Sequence, residues 1–392
     1  MTPISSHQIT DLDHFIALRQ DLHRHPEIGL EELRTADIVA QELERYGYAV
    51  SRGLARTGVV GTLSCGAGNR AIGLRADMDA LPILEETGAP YASQTPGKMH
   101  ACGHDGHTAT LLAAAKTLAE RQNFDGTVHL IFQPAEENFG GAQMMVEEGF
   151  FRAFPCDAVF GMHNDPALPF GQFTFRDGAI MAAVDECTIT VTGLGGHGAT
   201  PELTRDPVVA AASIVMALQT IVARNVSALD NAVVTVAAIH SGTASNIVPE
   251  RAEIVVGIRT FDAGVRDAIE ARIKAIALAQ AQSFGCAAHI DYVRSYDPTI
   301  NHAAETAFAR ELAAEMFGAE KAKDFPRPMM GSEDFAYFLN ECPGTYFFLG
   351  TAKGPNDPAH HHPKFDFNDA AIAPGAAFFV GLAERFLERG RS

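Results

Sequence analysis

Strand-like apolar runs alternate with helical stretches through most of this sequence, and a different order of elements interrupts them once, between about residues 184 and 297. That interruption limits the possible folds more than any other feature. Ahead of it, helical spacing over Ile9, Leu12, Phe15, Ile16 and Leu22 breaks at His25-Pro26, and a second pattern through Ala36, Val39 and Leu43 stops at Gly47. Two helices are therefore expected before the first strand. Apolar runs at 59–63 and 71–76, a helix from about 107 to 120, and runs at 127–132 and 157–162 carry the alternation on. This order predicts an α/β domain with a mostly parallel sheet flanked by helices. The interruption itself reads as a strand at 187–191, a helix over 206–224, strands at 232–240 and 251–259, a helix over 264–284 and a strand at 287–293. Two β-α-β halves of this kind make an α+β unit with a four-stranded sheet and two helices. A helix at 302–317, a strand at 345–349 and a final helix at 369–389 then resume the first order. Residues 1–183 and 298–392 are thus expected to form one domain, with 184–297 inserted into it. The Gly-rich passages at 140–141 and 193–198 read as loops.

Composition narrows the class of partner. A chain of 392 residues that is 47% hydrophobic can bury a large core. Its formal net charge of −18 opposes binding to nucleic acid or to an anionic membrane surface. The N-terminal stretch MTPISSHQITDLDHF has no basic segment followed by an apolar one, and no later apolar run reads as long enough to span a bilayer. A cytoplasmic location is expected. Cys65, Cys102, Cys156, Cys187, Cys286 and Cys342 have no framework spacing, which favours reduced thiols over disulfides. Five of them read as small apolar packing residues, and Cys102 is set apart by its neighbours.

Cys102-Gly103-His104-Asp105-Gly106-His107 places a thiol, two imidazoles and a carboxylate within six residues. Metal sites use these groups, and a Cys two residues before a His can present both to one ion. Other strand ends add donors of the same kind. The run at 71–76 leads into Asp77-Met78-Asp79, and that at 127–132 into Gln133-Pro134-Ala135-Glu136-Glu137. The run ending at 162 meets His163-Asn164, and that ending at 349 leads to a loop with His360, His361 and His362. An open α/β sheet gathers its ligand crevice at the C-terminal ends of its parallel strands. Any one of these residues has an ordinary structural use as a helix cap or surface group. Metal-type donors at four converging strand ends point instead to a metal-dependent active site.

Several stretches together resemble the metallo-amidohydrolase branch of the M20 peptidase superfamily, which includes hippurate hydrolases, N-acyl-amino-acid amidohydrolases and hydrolases of indole-acetyl amino acids. They are Leu22-His23-Arg24-His25-Pro26-Glu27, Arg75-Ala76-Asp77-Met78-Asp79-Ala80-Leu81-Pro82, Met99-His100-Ala101-Cys102-Gly103-His104-Asp105-Gly106-His107, Gln133-Pro134-Ala135-Glu136-Glu137, Gly161-Met162-His163-Asn164, Gly195-Gly196-His197-Gly198-Ala199 and Gly331-Ser332-Glu333-Asp334-Phe335. The resemblance spans the whole chain. It implies a catalytic α/β domain holding two divalent metal ions and an inserted lid domain that also forms a homo-oligomer contact. By position it implies Cys102, His104, Glu137, His163 and His361 as metal ligands, with Glu136 as general base and Asp79 orienting a ligand. A thiolate bridging two ions would set a metal spacing of roughly 3.5 to 4 Å. Mixed sulfur, nitrogen and oxygen donors suit zinc, manganese, cobalt, nickel or iron, so the metal identity stays open.

The sequence departs from the wider superfamily at two places. Many relatives carry His-x-Asp where this chain has Asp77-Met78-Asp79, and many carry a carboxylate at the position of Cys102. Both differences mark the amidohydrolase branch. The last ligand depends on register within His360-His361-His362, and the family pattern His-x-Pro selects His361, two residues before Pro363. In the insertion, His197 lies between glycines that allow close approach to a ligand, and it reads as a hydrogen-bond donor to the reacting carbonyl. Asn246 and Arg259 resemble residues that bind a substrate carboxylate, and a strand-end Arg equally suits a surface ion pair. The implied reaction is hydrolysis of the amide bond of a small-molecule N-acyl or N-aroyl amino acid. A metallo-dipeptidase, a deacetylase of an N-acetylated amino acid, a thiol hydrolase with Cys102 as nucleophile and His104 as base, and a noncatalytic metal- or ligand-binding relative are the alternatives.

Overall fold

The computed structural model describes residues 4–388; the terminal parts of the expected first domain at 1–3 and 389–392, and the last residue of the expected final helix, lie outside the described residues. Two compact units emerge. One comprises the chain up to Ile180, Thr299–Pro328 and the chain from Glu333, and the other comprises Met181–Pro298 and Met329–Ser332. The short return segment joins the second unit because the Ala182 amide donates to the carbonyls of Met329 and Gly331, at 3.1 and 2.8 Å.

The first unit is built on an eight-stranded sheet. Its centre is the neighbouring series Gly126–Gln133, Ala71–Asp77, Ala158–Asp165 and Gly344–Gly350, parallel throughout. The Ala71–Asp77, Ala158–Asp165 and Gly344–Gly350 strands are buried along their whole length, as expected for parallel strands with both faces covered. The edges depart from the parallel pattern. On one side the antiparallel pair Ala49–Leu54 and Gly58–Cys65 is added, and on the other Phe173–Phe175 and Ala322–Asp324. The helix His104–Arg121 packs against Leu12–Arg24 and Ile372–Glu388. It is buried almost all round to Leu118, which its small residues Ala109, Ala113, Ala114 and Ala115 permit.

Several expectations change. The first strand is Ala49–Leu54, not the run at 59–63, because an exposed edge strand of mixed polarity lacks an apolar signature. Phe173–Phe175 and Ala322–Asp324 are too short to show periodicity, and so are the helices Gly141–Glu147, Phe150–Ala153 and Ala336–Glu341. Gly140 caps the first of those helices with φ 67°, so 140–141 is a helix start and not a loop. Gly196–His197 likewise is a short strand, paired with Ile247–Val248.

In the second unit the antiparallel sheet runs in the order Ala232–Ser241, Arg251–Thr260, Ala183–Thr192, Ala287–Tyr296. Pro207–Leu218 and Ala263–Ser283 supply the buried apolar residues that complete its core. The helix expected over 206–224 divides at Gln219 into Pro207–Leu218 and Thr220–Asn225, where the Thr220 hydroxyl donates back to the Ala217 carbonyl at 2.7 Å. Asp185, Arg266, Tyr292 and Asp297 form a hydrogen-bonded cluster at the root of this unit. One further expectation is corrected. Pro207–Asn225 and Asp369–Glu388 are long and apolar enough to cross a membrane by length and composition; in this fold the second is a largely buried core helix.

Glu32 is buried and accepts from the Thr57 hydroxyl at 2.7 Å and from the Ala135 amide at 2.8 Å. Burial, with Asp79 adding repulsion, raises its pKa from 4.5 to about 7. The folded state therefore holds this proton more tightly than the unfolded chain. The linked stability is fully present below about pH 4.5 and is lost as the pH rises through about 7. In denaturant unfolding of metal-free protein, Glu32→Gln should gain on the native chain by up to about 3 kcal/mol between pH 4.5 and 8. A constant gap across that range would remove Glu32 as the titrating group.

Candidate metal centre

The central strands end together, and backbone geometry separates the residues that follow them. Ala135 has φ 55°, a left-handed conformation that costs a non-glycine residue on the order of 1 to 3 kcal/mol. The adjacent glutamates that follow it have partly different neighbours. Glu136 enters a group with Glu333 and Asp334, Glu137 enters one with Cys102 and His361, and both join His104 in a third; in each group the donor atoms lie within 4.8 Å of one another. His104 opens a helix behind Gly103, itself at φ 97°. Its Nδ1 is 3.1 Å from Asp79 Oδ1, and the other Asp79 oxygen accepts from the Glu137 amide at 2.9 Å. Asp79 thus holds two of the expected ligands. His104 Nε2 is left 3.7 Å from Asp77 Oδ2 and 3.9 Å from Glu137 Oε1.

Cys102 Sγ lies 3.4 Å from His163 Nε2, and His163 Nδ1 donates to the Asn164 carbonyl at 2.7 Å. Cys102, His104 and His163 form a buried donor group. The histidine run also separates by direction. His361, at φ 64° and hydrogen-bonded through its amide to the Ala101 carbonyl, reaches Glu137 Oε1 at 3.3 Å. His360 turns towards Asn164 and His163, and His362 Nδ1 accepts from the Lys364 amide. The structure therefore gathers Cys102, His104, Glu137, His163 and His361, with Glu136 beside them.

This donor set fits divalent metal. His104 Nε2 and Glu137 Oε1 are buried without a hydrogen-bond partner, a costly state for polar atoms that a cation between them would relieve. The electrostatics agree. Burial opposes charge on His104, but Asp77, Asp79 and Glu137 override it and raise its pKa to about 10. Burial, reinforced by His107 and His360, holds His163 well below the usual histidine range, as a neutral donor. Burial and the carboxylates of Glu137, Glu136 and Asp77 push the Cys102 thiol well up. A thiol so placed is a poor nucleophile without a cation to stabilise its anion, and His104 is committed to Asp79 rather than to activating it.

Below the donors lies a charge cluster that the motifs contain but that sequence reasoning left unassigned. Buried Arg75 donates to Gln133 Oε1 at 2.8 Å, Asp77 Oδ2 at 2.6 Å, Glu333 Oε1 at 2.9 Å and Asp334 Oδ1 at 3.3 Å. An arginine in a fully buried strand was the available signal. Glu136 borders this cluster, and burial together with Glu333, Glu137 and Asp334 raises its pKa well above the usual carboxylate range.

The remaining expected residues lie in the second unit. His197 and Asn246 are exposed on neighbouring segments, where the Gly198 amide donates to the Asn246 carbonyl at 2.8 Å and His197 Nδ1 accepts from the Ala199 amide at 3.0 Å. Arg259, half-buried, donates to the Ser332 hydroxyl at 3.2 Å and forms no ion pair among the described residues. Burial lowers its pKa. That leaves a partly desolvated cation with no ion pair among the described residues.

Sulfur, nitrogen and oxygen donors beside a separate carboxylate, at the C-terminal edge of a mostly parallel sheet, define the kind of site found in metal-dependent hydrolases. Residues 73–385 match the model of peptidase family M20/M25/M40. The chain belongs to this family. It is 43% identical over 385 residues to the hippurate hydrolase of Campylobacter jejuni, covering 97% of this chain and 99% of that one. It is 38% identical to the N-acetyl-L-cysteine deacetylase of Bacillus subtilis, covering 95% and 88%. Among solved structures, a dinuclear metal-binding M20 peptidase of Bacillus subtilis superposes with a TM-score of 0.83 at 33% identity, covering 96% of this chain and 98% of that one.

Removing Arg75 would leave Asp77, Glu333 and Asp334 buried without their shared cation. Arg75→Met should destabilise the protein by about 3 to 5 kcal/mol in denaturant unfolding. An unchanged midpoint would show that the carboxylates need no guanidinium.

Proposed function

We propose that this protein is a metal-dependent amidohydrolase that cleaves the amide bond of N-acyl or N-aroyl amino acids, releasing a carboxylic acid and a free amino acid. The observation that carries the reading is the pair of buried atoms without a hydrogen-bond partner, His104 Nε2 and Glu137 Oε1, close to Cys102, His163 and His361, with Glu136 alongside. Its relatives act on hippurate and on N-acetyl-L-cysteine by name, which supports the substrate class. Cys102, His104, Glu137, His163 and His361 would hold two divalent ions. Bound there, the ions would polarise the amide carbonyl and lower the pKa of water.

The protein's own groups do the rest. Glu136 takes a proton from the attacking water and delivers it to the amide nitrogen as the C–N bond breaks. Burial and neighbouring carboxylates raise its proton affinity, which suits a carboxylate that takes up a proton and then carries it. Asp79 keeps the His104 proton on Nδ1 and so leaves Nε2 as the donor. Arg259, with Asn246, binds the substrate carboxylate, and His197 donates to the reacting carbonyl. The insertion at 184–297 serves as the lid that carries these three residues.

The lid is also the proposed homo-oligomer contact. Ala232–Ser241 is an open sheet edge, and the Pro207–Leu218 helix exposes Val208, Val209 and Met216, the last at 71%. Met216→Glu should lower the mass measured by sedimentation; a native chain that sediments as a monomer would end this part of the reading. The net charge supports an enzyme without nucleic-acid or anionic-membrane partners, and its proposed location is cytoplasmic.

Activity on a panel of N-acetyl, N-benzoyl and N-indoleacetyl amino acids should vanish with a chelator and return with a divalent ion. Glu136→Gln should lower kcat about 100- to 10,000-fold while metal content stays at the native level. Near-native turnover in that variant would remove Glu136 as the base, and chelator-resistant turnover would remove the metal.

A further inference from the structure

His163-Asn164 closes the Ala158–Asp165 strand, and only the histidine has a part in the chemistry above. Asn164 is 1% exposed and touches every segment that brings a donor to the centre except the one carrying Glu137. Its carbonyl accepts from His163 Nδ1 at 2.7 Å, which puts the imidazole proton on that nitrogen and leaves Nε2 facing Cys102 Sγ. Its backbone nitrogen lies 3.1 Å from His107 Nε2, and His107 Nδ1 in turn lies 2.6 Å from Asp77 Oδ1. Its carboxamide bridges two imidazoles, 2.7 Å from His107 Nε2 on one side and 3.1 Å from His360 Nε2 on the other. His360 precedes His361 directly, so this bridge fastens the last loop to the start of the His104–Arg121 helix. The fit is tight at a fourth point. A Cβ on Gly103 would lie 2.4 Å from Asn164 Oδ1, so the absence of a side chain between Cys102 and His104 makes room for the carboxamide.

We propose that Asn164 is a positioning residue of the metal centre, holding the Cys102–His104 turn, the His163 imidazole and the His360–His361 loop in one arrangement. The proposal rests on the two-metal reading. No element of secondary structure joins these segments: one is a helix start, one a strand end and one a loop whose ligand has a left-handed backbone. A carboxamide suits the junction because it offers a donor and an acceptor on one short, uncharged plane, and each neighbouring imidazole adapts its tautomer to the atom it meets. An aspartate would add a further negative charge to a region already holding Asp77, Asp79 and Glu137, and a leucine would take the carboxamide away from both His107 and His360.

The test is metal binding. Native protein and the variants Asn164→Ala and His360→Ala are stripped and titrated with zinc against a chromophoric chelator, and their cobalt-loaded forms are compared by visible absorption. The native chain should bind two ions. Asn164→Ala, with far-ultraviolet circular dichroism retained, should bind at least one of them about 10- to 100-fold more weakly and show an altered cobalt spectrum. His360→Ala removes the other imidazole partner of the carboxamide, and should weaken binding by about 10-fold, the low end of the same range. Native affinities and an unchanged spectrum in Asn164→Ala would overturn the proposal. Should that variant fail to fold, His360→Ala decides in its place, and native affinity there overturns it. A native chain that binds fewer than two ions would instead bring down the two-metal reading, and the proposal with it.

Discussion

Burial of like charge at the end of a parallel sheet is the constraint on which the rest of this structure depends. Asp77, Asp79, Glu136, Glu137, Glu333 and Asp334 converge in a region largely shut off from water, where uncompensated carboxylates are costly. The fold offsets them in layers. Arg75 neutralises the lower group from within its strand, His104 and His107 face Asp77 and Asp79, and the upper group is left with bare donors on His104 and Glu137. Divalent cations complete that compensation, so the charge pattern that makes the metal-free site unfavourable is the one that makes it a metal site.

Compensation alone would not produce a hydrolase. After the left-handed turn at Ala135 both glutamates reach His104, but only Glu137 groups with Cys102 and His361 and only Glu136 with Glu333 and Asp334. A second left-handed residue, His361, brings the last imidazole to Glu137 while its neighbour His360 faces Asn164. Local strain at two non-glycine residues is thus used where the chemistry requires direction. The hydrogen bonds that hold these turns, from Ala135 to Glu32 and from His361 to Ala101, come from segments far away in the chain.

Much of the architecture was legible in the residues. The parallel core was, because the strands at 71–77, 158–165 and 344–350 are buried throughout and so read as continuous apolar runs. The edges were not. Ala49–Leu54 is mostly exposed, and Phe173–Phe175 and Ala322–Asp324 are shorter than a periodicity can register. At the site, the donor types and their strand-end positions were visible, whereas the roles of Arg75, His107, Asn164 and Glu32 were not. Each of these acts on residues distant in sequence, and nothing in its local pattern separates it from an ordinary polar residue.

The sequence by itself determined the chemical inventory and its approximate place: a thiol, imidazoles and carboxylates at successive strand ends, and an inserted segment with a different order of elements. Side-chain period and element length carry that information, because both are local properties of the chain. Tertiary structure alone decided which nitrogen of each imidazole stays free, which glutamate faces the donors, and how Asn164 joins three segments. Those outcomes depend on hydrogen bonds between residues tens to hundreds of positions apart, and on the low dielectric that burial creates around them.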